Sequence, residues 1–255
     1  MADVNLRGRF LWHDLMTTDP EKAQAFYTKV AGWGTTRWDG PQPYTMWTVG
    51  DTPVGGVMQL PPGVSAPPHW IGYIGTPDVD ATLAQAQSLG ATVMVKGTDI
   101  PTVGRYAVLA DPQGAAFALY SPTAERPETE GLPALGEFSW HELLTTDYEA
   151  AFAFYTAIFG WEKIEAYDMG EMGIYLIFGR NGKQLGGMFN RPPFVQAPPN
   201  WLQYIAVDSA DRAAERVTAN GGTLMQEPMD VPGGDRIAQC MDPQGGAFAV
   251  HSRKA

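Results

Sequence analysis

Apolar residues recur at two periods along this chain, and stretches of the two periods alternate. Ala23, Phe26, Tyr27 and Val30 stand at i, i+3, i+4 and i+7, which puts them on one face of a helix. Asp19 precedes that face as an N-cap, Pro20 suits the first helical position, and Glu21 complements the positive helix end. Gly32 follows as a stop signal. Elsewhere apolar residues gather in short β-prone runs: Tyr44–Val49, Val54–Leu60, Trp70–Ile74, Thr92–Val95, Tyr106–Ala110 and Ala116–Tyr120 in the first half. Asp111-Pro112-Gln113-Gly114 has the residue preferences of a type I turn and is expected to close a hairpin. The order that emerges is strand, helix, then three strands.

That unit repeats. Phe10–Trp33 and Phe138–Trp161 share 15 of 24 residues at an offset of 128. Beyond them the offset becomes 131, so the second half gains three residues between Trp161 and Gly186. In that register Gly55-Gly56 matches Gly186-Gly187, Pro67-Pro68-His69-Trp70 matches Pro198-Pro199-Asn200-Trp201, and Asp111-Pro112-Gln113-Gly114 matches Asp242-Pro243-Gln244-Gly245. Two tandem domains follow, 1–122 and 136–255, joined by a Pro-, Glu- and Thr-rich linker at 123–135. A weaker repeat lies inside each half, where Trp12, Trp70, Trp140 and Trp201 each stand 20 residues before a glycine. The expected class is α+β: four βαβββ modules paired into two tandem cup-shaped domains. A sheet with helices on one side leaves its other face to curl around a ligand.

Composition narrows the partners. Apolar residues make up 44% of 255, enough for a buried core, and the formal charge is −11. A surface that acidic repels phosphate backbones and anionic lipid, so neither nucleic acid nor membrane is an expected partner. Cys240 is the single cysteine, which excludes an intrachain disulfide and a cysteine-based zinc site. The segment Met1–Arg7 does not read as a signal peptide, and no apolar run is long enough to span a bilayer. A cytoplasmic protein, monomeric or homodimeric, is expected.

The helix Asp19…Phe26-Tyr27…Gly32, its copy Asp147…Phe154-Tyr155…Gly160 and the two Asp-Pro-Gln-Gly turns resemble the vicinal oxygen chelate superfamily, also called the glyoxalase / bleomycin-resistance / extradiol dioxygenase fold. The doubled pattern is similar to its double-domain glyoxalase-like subgroup and covers nearly the whole chain. The resemblance implies a divalent metal held by His, Gln or Glu at set strand positions. One position lies seven residues before the helix-starting Asp, at Trp12 and Trp140; another lies seven after the turn Asp, at Ala118 and Ala249. The others fall at Trp70 or Ile71, Trp201 or Leu202, near Met58 or Gln59, and near Phe189 or Asn190. One amide cannot hold such an ion against water. The expected metal and cofactor content is therefore none.

Other signatures are incomplete. His141-Glu142-Leu143-Leu144-Thr145 lacks the second His of a zinc-protease helix, and Gly63-Val64-Ser65-Ala66-Pro67 lacks the closing Gly of a nucleophile elbow. Cys240 reads as a buried apolar residue. Strand alternation then selects a candidate site. If Trp12 faces the cup, so does Asp14, while His13 faces the helices; Trp140 and Glu142 face in, while His141 faces the helices. Tyr120 and His251 share the faces of Ala118 and Ala249, and Tyr73 and Tyr204 face in or out according to a one-residue register. Asp14 and Glu142 are the candidate acid/base residues, with Trp12, Tyr120, Trp140, His251, Tyr73 and Tyr204 as ligand contacts. The acids could instead accept bonds from Arg105, Arg236 or backbone at a module seam. The indoles of Trp12, Trp70, Trp140 and Trp201 could be a stacking platform or packing wedges.

The expected function is metal-independent binding of a small, aromatic or metabolite molecule. One alternative is a glyoxalase- or oxygenase-type enzyme using Asp14 or Glu142; the other is a structural or interaction protein with filled cups.

Overall fold

Each apolar face in the sequence becomes an element of a unit that occurs four times. The computed structural model describes residues 6–40, 43–61, 63, 66–125 and 131–254. Met1–Asn5, Val64 and Ser65 of the nucleophile-elbow comparison, and linker residues 126–130 lie outside the described residues. The first unit is β1 (Phe10–Thr17), α1 (Pro20–Ala31), β2 (Gly34–Asp39), β3 (Pro43–Val49) and β4 (Thr52–Gln59). The second is β5 (His69–Gly75), α2 (Val79–Ser88), β6 (Thr92–Ile100), β7 (Gly104–Ala110) and β8 (Ala116–Pro122). The third is β9 (Phe138–Thr145), α3 (Tyr148–Phe159), β10 (Glu162–Asp168), β11 (Ile174–Arg180) and β12 (Lys183–Asn190). The fourth is β13 (Asn200–Ala206), α4 (Ala210–Ala219), β14 (Thr223–Asp230), β15 (Arg236–Met241) and β16 (Ala247–Ser252).

The two sheets run β2-β3-β4-β1-β5-β8-β7-β6 and β10-β11-β12-β9-β13-β16-β15-β14, so the fold is α+β with two tandem domains of one topology. Within a module the first strand pairs parallel to the last, as in β1–β4 and β9–β12. The three extra residues of the second half fall between β10 and β11, where a single 3-10 turn at Gly170–Met172 takes them up. The strand expected at Thr92–Val95 extends to Ile100. It is an outer strand, its register against β7 shifts twice, and its side chains are mostly exposed. Bulges of that kind erase the period-two signal.

Local chemistry fixes the helices as expected. The Asp19 side chain accepts the Lys22 N–H at 3.1 Å, Asp147 accepts that of Ala150 at 3.0 Å, and Gly32 and Gly160 close the helices at φ 74° and 71°. The buried face of α1 is Ala23, Phe26, Tyr27 and Val30.

Packing divides the chain differently from the repeat. One compact unit comprises Trp12–Ile71, Gly131–Trp140 and Leu202–Ala255; the other comprises Met1–Leu11, Gly72–Glu130 and His141–Trp201. In the first, Tyr27 donates to Asp242 Oδ2 at 3.1 Å and accepts from the Trp70 indole at 3.0 Å. In the second, Tyr155 donates to Asp111 Oδ2 at 3.0 Å and accepts from Trp201 at 3.0 Å. The remaining oxygen of each aspartate is occupied by its own turn: Asp111 Oδ1 takes the N–H groups of Gln113, Gly114 and Ala115. Burial, then the neighbouring carboxylate, pushes both tyrosines well above the ordinary phenol range. Trp70 and Trp201 are therefore core wedges, 5% and 6% exposed, and not a stacking platform.

Removing either bridging hydroxyl leaves a buried carboxylate and a buried indole N–H each short of a partner. Tyr27→Phe and Tyr155→Phe are each expected to lower unfolding free energy by about 1–3 kcal/mol in urea titrations. Burial pushes the Cys240 thiol up to about 12. Alkylation of Cys240 at mildly alkaline pH should therefore be negligible in the folded protein and rapid once it is unfolded.

Candidate functional site

Strand β1 alternates between two environments. Leu15 is fully buried in one core, and the His13 ring stacks on Phe138 at 3.8 Å beside that core. Asp14 and Trp12 take the opposite face. The Trp12 indole donates to Asp14 Oδ1 at 3.0 Å and to the Tyr44 hydroxyl at 2.7 Å, while Tyr44 donates to the same carboxylate oxygen. The result is a closed triangle of indole, phenol and carboxylate, with Asp14 only 4% exposed.

Tyr44 lies on β3, and β4 runs between it and β1. It reaches Asp14 because Gly56, the parallel partner of Asp14, has no side chain. A Cβ there would overlap the Tyr44 hydroxyl and come within 2.7 Å of the Asp14 carboxylate. On its other side the Gly55 position abuts the His13 carbonyl, so both glycines are needed for close approach.

The other unit holds the counterpart. Tyr175, which matches Tyr44 at the offset of 131, donates to Glu142 Oε2 at 2.9 Å. Gly187 pairs with Glu142, and a Cβ on it would overlap the Tyr175 ring. His141 stacks on Phe10 at 3.5 Å, and Leu143 is fully buried in that unit's core. Strand alternation alone points to Asp14 and Glu142 but not to their phenols. The signal was present in the repeat: Tyr44 and Tyr175 align, as do the glycine pairs beneath them.

The remaining candidates divide between the units. Tyr120 is buried, donates to the Val103 carbonyl at 3.2 Å and meets Tyr73 edge-on at 6.2 Å; Tyr73 also packs near Tyr106. Tyr73 pairs with Ala118 and Tyr204 with Ala249, while the next residues, Ile74 and Ile205, are fully buried in cores. That resolves the open register: Tyr73 and Tyr204 share the faces of Ala118 and Ala249. Trp140 packs on Leu202, Tyr204 and Ala249, and Tyr204 accepts from Gln239 at 3.2 Å. His251 lies between Ser139 and Asp235, at 3.0 and 2.9 Å. Arg105 binds Asp80 and Asp99, and Arg236 binds Asp211 and Asp230. Their guanidinium groups, held above the usual range by these carboxylates, are engaged there and correct the idea that they serve Asp14 and Glu142.

The positions where the resemblance implies metal ligands carry indole N–H donors at Trp12 and Trp140 and methyl groups at Ala118 and Ala249. The two amides at the remaining positions have other work. Gln59 donates to the Thr18 carbonyl, and Asn190 accepts the Tyr148 N–H at the start of α3. Among the described residues, no three His, Cys, Asp or Glu side chains gather to hold an ion. This donor set does not fit a divalent metal at those positions.

Two open clefts lie elsewhere. One, of about 530 Å3, is bordered by Asp211, Glu215, Glu227 and Arg236; the other, of about 650 Å3, by Thr18, Glu21, Thr36 and Arg37. Neither is lined by Trp12, Asp14, Tyr120, Trp140, Glu142 or His251. Among the described residues, no helix is long and apolar enough to cross a membrane.

Comparison with known proteins agrees with this architecture. Residues 137–250 match the Glyoxalase/Bleomycin resistance protein/Dioxygenase superfamily, and residues 11–120 match a glyoxalase-like domain. CFP32 of Mycobacterium tuberculosis, whose name assigns it provisionally to the glyoxylases, is 35% identical over 246 residues, 94% of this chain and 92% of that one. The anthracycline biosynthesis protein DnrV of Streptomyces peucetius is 30% identical over 260 residues, 95% of this chain and 92% of that one. Among solved structures, the 2,3-dioxygenase LapB from Pseudomonas sp. KL28 superposes with a TM-score of 0.68 at 15% identity, covering 98% of this chain and 94% of that one. The Mn(II)-bound glyoxalase from Novosphingobium aromaticivorans gives 0.63 at 17% identity, covering 97% and 82%. At those identities the structural likeness concerns the fold.

The glycine beneath Tyr44 provides a direct test of the triangle. Gly56→Ala is expected to displace the phenol from Asp14 and to cost about 1–3 kcal/mol by overpacking. A crystal structure and a urea titration of the variant check both halves of that expectation.

Proposed function

This chain belongs to the Glyoxalase/Bleomycin resistance protein/Dioxygenase superfamily, and from that membership we propose that it binds a small aromatic or metabolite ligand without a divalent metal. One observation carries the reading: where the fold would place a metal ligand, Trp12 closes a hydrogen-bonded triangle with Asp14 and Tyr44. An indole N–H donates and cannot coordinate, so the position orients polar groups instead of an ion. Aromatic rings around one buried carboxylate suit a flat molecule with a hydroxyl or amine to be oriented. The name of DnrV, an anthracycline biosynthesis protein, supports an aromatic ligand class. A cytoplasmic setting, without nucleic acid or membrane partners, fits the net charge of −11 and the lone thiol.

A second reading rests on the same pair of groups. A phenol donating to a buried carboxylate is a route for one proton, so Asp14–Tyr44 and Glu142–Tyr175 would serve as acid/base couples in an isomerase or oxygenase. The name of CFP32 supports that class.

Ligands of the native state must raise its thermal stability. A panel of polycyclic aromatics and small metabolites should yield at least one compound that raises Tm. Asp14→Asn or Glu142→Gln should weaken its binding by roughly 10- to 100-fold, as expected for a bond to a charged group. Unchanged affinity in both variants would make the acids structural. Elemental analysis of purified protein should find far less than one equivalent of Zn, Mn, Ni or Fe; one tightly bound equivalent would overturn the metal-independent reading.

A further inference from the structure

We infer that Ser139 is an activated nucleophile that accepts acyl groups from small activated esters, with His251 as its base and Asp235 as the group that orients the imidazole. The inference does not rest on the ligand-binding reading above. Ser139 Oγ lies 3.0 Å from His251 Nδ1, and His251 Nε2 lies 2.9 Å from Asp235 Oδ2. All three belong to one packing unit. Their order is hydroxyl, imidazole, carboxylate, the arrangement by which a serine proton is removed. Here the carboxylate sits on Nε2 and the serine on Nδ1, which is chemically equivalent because either ring nitrogen can be the base.

The carboxylate selects the tautomer. Asp235 Oδ1 accepts the Lys254 N–H at 3.0 Å, which fixes the side chain. Burial pushes this carboxyl up, but the Lys254 N–H and the His251 ring outweigh it and hold it below the usual range. An ionised Asp235 accepts the Nε2 proton, which leaves the Nδ1 lone pair aimed at Ser139. The hydroxyl also lies 3.4 Å from the Tyr204 carbonyl oxygen, so one torsion moves its proton between a resting acceptor and the base. Solvent reaches His251 and Asp235, whose side chains are 14% and 38% exposed, and Ser139 is half-buried.

The internal repeat argues against a purely architectural role. The equivalents of Ser139, His251 and Asp235 in the first half are Leu11, Tyr120 and Gly104. The same fold is therefore built there with none of the three. A brace that the topology required would recur.

In the reaction, Ser139 Oγ forms a bond to the ester carbonyl carbon while its proton passes to His251 Nδ1. The bond from that carbon to the leaving phenolate oxygen breaks, and the phenolate departs with its electron pair. The imidazolium releases its proton to solvent. Water then attacks the acyl-serine, giving one proton to His251, and the carboxylic acid leaves as Ser139 takes a proton back.

The test uses the full-length protein with p-nitrophenyl acetate and, separately, a fluorophosphonate probe. The expected result is an acetyl or phosphonyl adduct that peptide mass spectrometry locates on Ser139. Ser139→Ala should abolish the adduct, and His251→Gln should slow its formation about 100-fold or more. Asp235→Asn, which keeps the shape but lets the ring adopt the wrong tautomer, should slow it by a similar factor. Circular dichroism and Tm confirm that each variant is folded. No adduct on the wild-type protein overturns the inference, as does labelling at unchanged rate in His251→Gln. Variants that lose Tm while the wild type stays unlabelled would identify the three residues as a brace, which also overturns it.

Discussion

A buried aspartate that needs a hydroxyl from elsewhere in the chain governs how this protein is put together. Asp111 and Asp242 each start a tight turn and satisfy one oxygen there, which leaves the second oxygen in the core. The donor is a tyrosine on a helix from the opposite half of the sequence: Tyr155 for Asp111 and Tyr27 for Asp242. The same hydroxyls accept from Trp201 and Trp70, so each core has a polar thread running through its aromatic packing. Such threads are strong constraints because a single missing member strands its neighbours without water. They tie one tyrosine on each of α1 and α3 to the Asp-Pro-Gln-Gly turn of the opposite half.

Fixing the helix side of each sheet leaves the other face to the tyrosine–carboxylate pairs. On β1, Leu15 in the core requires that Asp14 point the other way, and the bare backbone of Gly56 lets a phenol cross an intervening strand to meet it. The same logic holds for Leu143, Glu142, Gly187 and Tyr175. At Trp12 an indole donor stands at one of the positions that the family resemblance marks, and what it orients is a carboxylate.

Much of the fold was legible in the sequence because its signals are local. Ala23, Phe26, Tyr27 and Val30 mark a helix face wherever the helix goes, and the tandem repeat multiplies each such observation. The end of β6 was not legible, since an outer strand with bulges has no dry face to impose alternation. Strand parity placed Trp12 with Asp14 and put His13 and His141 on the opposite face, with Leu15 and Leu143. It could not find Tyr44, because that contact depends on a glycine on β4, three strands on in sequence from Asp14. Nor could it decide whether Trp70 lined a ligand face, since the answer depended on the Tyr27 hydroxyl.

The crossed pairing of tyrosines and aspartates also sets an order of events during synthesis. Tyr155 finds Asp111 already made, 44 residues behind it, so the unit built around that pair can close while the chain is still growing. Tyr27 must wait for Asp242, 215 residues later. At about 5–20 residues per second the delay is about 10–40 s, during which the aromatic face of α1 is without its mate. The unit around Tyr155 and Asp111, which also takes in Phe10 and Leu11, is thus the first able to mature on the ribosome, and the unit that needs β15 and β16 is the last. A ribosome pausing between those points would hold a nascent chain with one finished core and one open one, the form a chaperone would meet.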